Sequence, residues 1–287
     1  MKFFADTANL EEIKYCFEKG IFDGITTNPK IMESTGDLSK GVDEACRNIV
    51  EKYPNVPISL ETDLRGIEIP EIDSSYLKVK EILLEQAYHL SEFGKNVVIK
   101  IPICKGGLEA TTILAGKGIQ TNVTACMTPY QALEAAKSGA TYVSLFANRM
   151  LDARILNLAG YSSEIILTDP SWKEKVKENK EKYFEKAWDT TLKEIAYVAS
   201  ELDKTSSSLI VGSIRSPEDI HRLVRARPQV ITIPTKIVES LERILDLKNT
   251  KRDFNDFSEI EIGDSLVHPM TTYTLEEFER AADSYRK

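Results

Sequence analysis

Short apolar runs of strand length alternate with longer segments of helical period along most of the chain. The runs fall near residues 2–6, 22–26, 57–62, 96–103, 120–124, 141–146, 208–212 and 230–234, and their β-branched and aromatic content predicts strands. Segments 9–19, 76–93, 107–117, 129–138, 182–202 and 217–226 place apolar residues at helical spacing and predict helices. Eight β-then-α units predict an α/β chain folded as a (β/α)8 TIM barrel, since right-handed crossovers leave few other topologies. A doubly wound open sheet is the main alternative. No GxGxxG follows a predicted strand and no GxxxxGK[ST] occurs, which weakens the nucleotide-binding versions of that sheet.

Side chains alternate along a strand, so parity separates residues that face the helices from residues that face the barrel lumen. Phe3, Ala5, Ile58, Leu60, Val97, Ile99, Ile101, Val123, Val143 and Leu145 form the outward, apolar set. Phe4, Asp6, Ser59, Glu61, Lys100, Asn122, Thr124, Tyr142, Ser144 and Phe146 form the inward set. Its polar members are expected near the C-terminal ends of the strands, where barrel enzymes keep their chemistry.

Lys100 is the exceptional residue. It stands alone in Val97-Val98-Ile99-Lys100-Ile101-Pro102-Ile103, a run apolar enough for a parallel strand buried on both faces. Burial disfavours an ammonium ion, so its pKa is expected below the usual value of about 10.4, leaving neutral amine available to form a Schiff base. A lysine that snorkels to water or pairs with a carboxylate fits the same run.

Composition narrows the chemistry. A net charge of −8 argues against nucleic acid, because lysine and arginine are scattered among acids rather than gathered into a basic face. Cys16, Cys46, Cys104 and Cys126 show no zinc-ligand spacing and read as buried or half-buried reduced thiols. His89, His221 and His268 are isolated and form no HExxH, so surface or helix-packing roles are expected. No apolar stretch is long enough for a bilayer, and Met1 leads directly into a strand; no membrane association and a cytoplasmic location are expected.

The whole chain, 1–287, reads as one domain with two additions to a minimal barrel. The segment of about 151–181, after the sixth strand, is longer than a usual βα loop and reads as an irregular cap, an extra helix or a surface excursion. The extension of about 250–287 carries Thr274 and Glu277 at capping-box spacing, which predicts a terminal helix starting there.

Around the predicted mouth, Lys100 supplies an amine nucleophile and Asp6 and Glu61 supply carboxylates. Thr26, Asn28, Asn122, Thr124 and Ser144 supply hydroxyl and amide groups. Arg149 and Arg215 with Ser213 are placed as an anion clamp, although arginines in βα loops also serve as surface ion pairs. No metal-ligand set and no Ser/His/Asp arrangement is among these residues, so metal-assisted chemistry is not expected. An amine beside an acid/base pair reads as an aldolase-type site that works through an imine.

Several segments resemble, in order, the motifs of the transaldolase family. They are Phe4-Ala5-Asp6-Thr7-Ala8-Asn9, Gly24-Ile25-Thr26-Thr27-Asn28-Pro29, Ile99-Lys100-Ile101-Pro102, Asn122-Val123-Thr124, Ser144-Leu145-Phe146-Ala147-Asn148-Arg149, Gly212-Ser213-Ile214-Arg215 and His268-Pro269-Met270-Thr271. The chain is most similar to the small bacterial-type transaldolases, whose relatives include fructose 6-phosphate aldolases. The resemblance implies Lys100 as the Schiff-base residue, Asp6 as the base at the breaking bond, and Glu61 with Thr124 as the holders of a proton-shuttling water. It implies further that Asn28, Asn122 and Ser144 bind the dihydroxyacetone unit, that Arg149, Ser213 and Arg215 bind a phosphate, and that no cofactor takes part. Glu61 and Phe146 resemble the transaldolase pattern, where the aldolase branch has Gln and Tyr.

The family also implies a homo-oligomer, with a decamer as the expectation, and sugar phosphates as partners. Lys30 in place of Ser and Leu145 in place of Pro depart from the family pattern. With the long segment after Arg149, Lys30 opens the alternative of a donor with a sulfonate end, such as 6-deoxy-6-sulfofructose. A catalytically silent sugar-phosphate-binding barrel and an unrelated imine-forming aldolase are the remaining readings.

Overall fold

In a computed structural model, which describes residues 1–239, 248 and 250–286, eight parallel strands close into a barrel in the order β1 to β8. They are β1 (Lys2–Asp6), β2 (Gly24–Thr26), β3 (Ile58–Glu61), β4 (Val97–Pro102), β5 (Thr121–Cys126), β6 (Tyr142–Phe146), β7 (Ser208–Gly212) and β8 (Val230–Pro234). Closure rests on the β1/β8 ladder, in register from Lys2 opposite Val230 to Asp6 opposite Pro234. An open sheet would leave those two edges apart.

Parity holds along the strands. Phe3, Ala5, Ile58, Leu60 and Ile99 are buried in the layer between barrel and helices. Phe4, Ile210 and Val230 form a separate small cluster inside the barrel, closed by Tyr142, whose ring meets Phe4 edge-on at 5.8 Å. Tyr142 thus corrects the expectation for the inward polar set, because it lies at the start of β6 and plugs the closed end of the lumen. Phe4 also explains the glycine that opens β2. A Cβ on Gly24 would stand 2.7 Å from the Phe4 ring, and only glycine admits that ring. The predicted second strand began at residue 22, but pairing starts only at Gly24.

Side-chain oxygens begin several helices by accepting from otherwise unpaired N–H groups. Asn9 caps α1 (Leu10–Glu18) and Asn28 caps α2 (Pro29–Thr35). Next come α3 (Val42–Lys52), α4 (Tyr76–Ser91), α5 (Lys105–Gly116) and α6 (Pro129–Lys137), the last capped by Thr128. The four cysteines are free and buried, in agreement with the reduced-thiol reading. No helix among the described residues is long and apolar enough to cross a membrane.

Both additions carry helices. After β6 the chain enters α7 (Ala147–Leu158), a single turn α8 (Ile165–Thr168), and then α9 (Trp172–Leu202), which runs for 31 residues. Of the three readings of this segment, the extra helix is the one present, as part of a helical hairpin. The sequence predicts helical spacing only from residue 182, because residues 173–182 are dominated by lysine and glutamate and carry few apolar marks. Trp172 and Val176 are the buried anchors of that polar turn.

After α10 (Pro217–Ala226) and α11 (Thr235–Val238) the described chain ends in α12 (Pro269–Tyr285). The capping box predicted at Thr274 and Glu277 is not there. His268 is the cap, its Nδ1 accepting from Met270 N at 3.1 Å, while Thr274 is buried mid-helix and donates to Met270 O. Proline at the first helical position outweighs the later Thr-x-x-Glu spacing. Thr271 Oγ1 donates to Ala125 O at 2.9 Å, tying α12 to the end of β5.

Candidate active site

Barrel register brings the reactive groups together. Glu61 and Lys100 are direct neighbours across β3 and β4, Lys100 stands beside Asn122 on β5, and Asp6 stands beside Thr26 on β2. The Lys100 amine forms an ion pair with Glu61 Oε2 at 2.8 Å, with the two side chains 4% and 3% exposed. It also donates to Thr27 O at 3.0 Å. Lys100 is thus both enclosed and paired with a carboxylate.

The two acids are perturbed in the same direction. Burial pushes Glu61 up to about 7 against the opposing charge of Lys100. Burial raises Asp6 as well, opposed by Lys100 and by hydroxyl contacts from Thr26 and Thr232. Thr26 Oγ1 donates to Asp6 Oδ1 at 2.7 Å and touches the Thr232 hydroxyl. A carboxyl that titrates near neutrality beside a buried amine suits proton transfer at physiological pH.

A cavity of about 200 Å³ opens over this centre. Of the expected site residues, Asp6, Thr26, Asn28 and Lys100 line it on one side, and Ser144, Phe146, Arg149 and Ser213 on the other. Asn28 spends its Oδ1 on Ile31 N at 2.8 Å and is therefore fixed in place by the helix it caps. Ser144 Oγ donates to Asn122 Oδ1 at 2.7 Å, and Asn122 donates to Ser59 Oγ at 3.2 Å.

Glu61, Asn122 and Thr124 lie outside the cavity lining. Thr124 is fully buried and its hydroxyl has no hydrogen-bond partner among the described residues. A polar group so placed requires a partner that the protein does not supply. Just beyond it β5 shifts register against β6, with Ala125 at a φ of 62°, the kind of irregularity that re-aims side chains beside functional sites.

The clamp arginines are both engaged. Arg149 pairs with Glu277 of α12 at 2.6 Å, and Arg215 makes two bonds to Asp152 of α7, at 2.9 and 2.6 Å. Glu277 also takes Lys30 at 3.2 Å. Although burial pushes the Glu277 carboxyl up, Arg149 and Lys30 outweigh it and hold the group down at about 2. Arg149 and Ser213 line both the Lys100 pocket and a neighbouring outer cavity, whereas Arg215 lines only the outer one, so the two arginines meet in the outer cavity. The loop that carries Ser213 and Arg215 is tied to Asn148 of α7. Asn148 Nδ2 donates to Ser213 O at 2.8 Å and to Asp219 Oδ2 at 2.7 Å, and Ser213 adopts a φ of 62°.

Sequence reasoning missed Thr232, Phe278 and the two carboxylates on the arginines. Thr232 carried a usable signal, since it is the inward polar residue of an apolar strand, as Lys100 is. Phe278 lines the cavity, with its ring centroid 5.9 Å from the Lys100 amine and 6.3 Å from Phe146. Nothing local marks it, because the folding back of α12 over the mouth brings it there.

Comparison with known proteins agrees with this geometry. Residues 3–287 match the family model described as Transaldolase/Fructose-6-phosphate aldolase. A probable transaldolase of Aquifex aeolicus (strain VF5) is 35% identical over 241 residues, which is 84% of this chain and 88% of that protein. A probable transaldolase of Clostridium botulinum (strain Hall) is 33% identical over 244 residues, 85% of this chain and 89% of that protein. With the motifs in order on a closed barrel and relatives similar over most of their length, this chain belongs to the transaldolase/fructose-6-phosphate aldolase family.

Proposed function

We propose that this enzyme is a transaldolase, which moves a dihydroxyacetone unit from a ketose phosphate such as fructose 6-phosphate or sedoheptulose 7-phosphate to an aldose phosphate. The observation that carries the reading is the enclosed Lys100 amine held 2.8 Å from a carboxyl that titrates near 7, with Asp6 raised beside it. The neutral amine adds to the ketose carbonyl, and loss of water through Glu61 and Thr124 gives the iminium. Asp6 takes the proton of the hydroxyl next to the scissile carbon–carbon bond. That bond breaks, its electron pair moves into the iminium, and the aldose phosphate leaves. The enamine left on Lys100 then attacks the acceptor aldehyde, and hydrolysis of the new iminium frees the amine.

Asn28, Asn122 and Ser144 orient the dihydroxyacetone hydroxyls, while Thr26 holds Asp6 and Phe146 closes the wall. Arg149 and Ser213 take the phosphate, with Arg215 behind them. The cation-rich rim favours a dianionic phosphate over a singly charged sulfonate. Phe278 over the amine, with Phe146 beside that ring, supports transfer rather than simple cleavage, because water must be kept from the covalent intermediate.

Borohydride reduction in the presence of fructose 6-phosphate is expected to add a dihydroxyacetone-derived mass at Lys100, and Lys100→Met to abolish it. No adduct on the native chain would favour a silent sugar-phosphate-binding barrel. In a donor panel, fructose 6-phosphate is expected to outperform 6-deoxy-6-sulfofructose. The opposite order would assign the sulfonated sugar.

A further inference from the structure

Next to the catalytic pocket lies a larger cavity, of about 500 Å³, shared with it through Lys30, Arg149 and Ser213. Its outer wall is the polar first half of α9, the part of the chain that a minimal barrel lacks. Lys173, Lys177 and Lys180 line it. Their i, i+4, i+7 spacing stacks them on one helix face over about 10 Å.

Charge pairing sets these three lysines apart. Arg149 and Arg215 are each matched by a carboxylate, Glu277 and Asp152, within the same cavity. Lys173, Lys177 and Lys180 have no carboxylate within 4 Å among the described residues. Lys173 is instead held over the rings of Trp172 and Tyr273, at 5.4 and 5.2 Å. Trp172 is buried at the base of the cavity and meets Tyr273 edge-on, so the wall is packed rather than loose. In a chain of net charge −8, a concave surface with three uncompensated cations concentrates anions against the overall field. The N-terminal end of α9 adds positive potential of its own.

We propose that this vestibule is a second anion subsite, which takes compact polyphosphate-type anions whose first phosphoryl group occupies the arginine clamp and whose remaining charge lies along the lysine face. Such an anion blocks the route to Lys100 and competes with the sugar-phosphate donor. A single phosphate reaches only the clamp, so affinity rises with the number of linked phosphoryl groups. The subsite makes no use of Lys100 and stands whether or not the transferase reading holds.

The test is calorimetric titration of the native protein with inorganic phosphate, pyrophosphate and tripolyphosphate at fixed ionic strength. Tripolyphosphate is expected to bind at least about tenfold more tightly than phosphate, the sum of three contacts each at the level of an exposed ion pair, with pyrophosphate between the two. In the triple variant Lys173→Gln/Lys177→Gln/Lys180→Gln that advantage is expected to fall to about twofold or less, while phosphate binding persists and reports an intact clamp. Equal affinity for the three anions on the native protein overturns the proposal. So does an advantage that survives the triple substitution, which would assign it to Lys30 and the arginines. A polyphosphate that binds without excluding phosphate would place it elsewhere on the surface and overturn the proposal as well.

Discussion

Lys100 and Glu61 show how one strand register decides reactivity. An amine and a carboxyl that would be unremarkable in water are forced together in an apolar lumen, where neither is solvated and each depends on the other. Glu61 consequently titrates near 7, as burial outweighs its neighbour's positive charge. Below that value the carboxyl is an acid, and above it a base. Glu61→Gln keeps the shape and removes the titration, so kcat is expected to fall by about 10²- to 10⁴-fold and the limb of the kcat/KM profile near pH 7 to disappear. A limb unchanged in that variant would assign the titration to another group.

At the scale of elements, α12 joins the protein's acid response to the closure of its site. His268 caps the helix with a ring nitrogen that must be unprotonated, and burial, helped by the charge of Arg154, pushes its pKa down to about 4. The unfolded chain therefore binds more protons than the folded one between about pH 6.5 and 4. Stability from this group is complete above that window and is lost as pH falls through it. His268→Asn retains a capping acceptor without a titration. Its denaturation midpoint, followed in guanidinium from pH 7 to 4, is expected to decline less than that of the native chain.

The same helix presents Phe278 to the Lys100 amine. Phe278→Ala is expected to raise the release of free dihydroxyacetone relative to transfer by roughly tenfold, as water reaches the intermediate. Because this is a ratio of products from folded enzyme, partial unfolding does not mimic it.

At the scale of the whole molecule, the charge distribution opposes the net charge. The chain carries −8 overall, yet Lys30, Arg149, Arg215 and the α9 lysines gather around one entrance. Substrate anions are drawn to that entrance through a field that salt screens over about 10 Å at 0.1 M. Raising ionic strength from about 0.05 to 0.5 M is expected to lower kcat/KM for a phosphorylated donor on the order of three- to tenfold, and to leave reaction with an uncharged ketose nearly unchanged. Equal sensitivity of both donors would locate the salt effect in the fold.

The strands, their parity and the inward set of Asp6, Glu61, Lys100, Asn122, Thr124 and Ser144 were legible in the chain, because a two-residue alternation writes the burial of each face directly into residue type. Arg149, Ser213 and Arg215 were legible as a possible anion clamp, and the family motifs repeated that role. What required the tertiary structure was every relation between distant segments. Glu277 on Arg149, Asp152 on Arg215, Phe278 over Lys100 and the lysine face of α9 beside the clamp all arise where helices of unrelated sequence position meet. A strand carries its own record of which side is buried, whereas a polar helix turn or a returning C-terminal helix carries none until the surface it covers has been built.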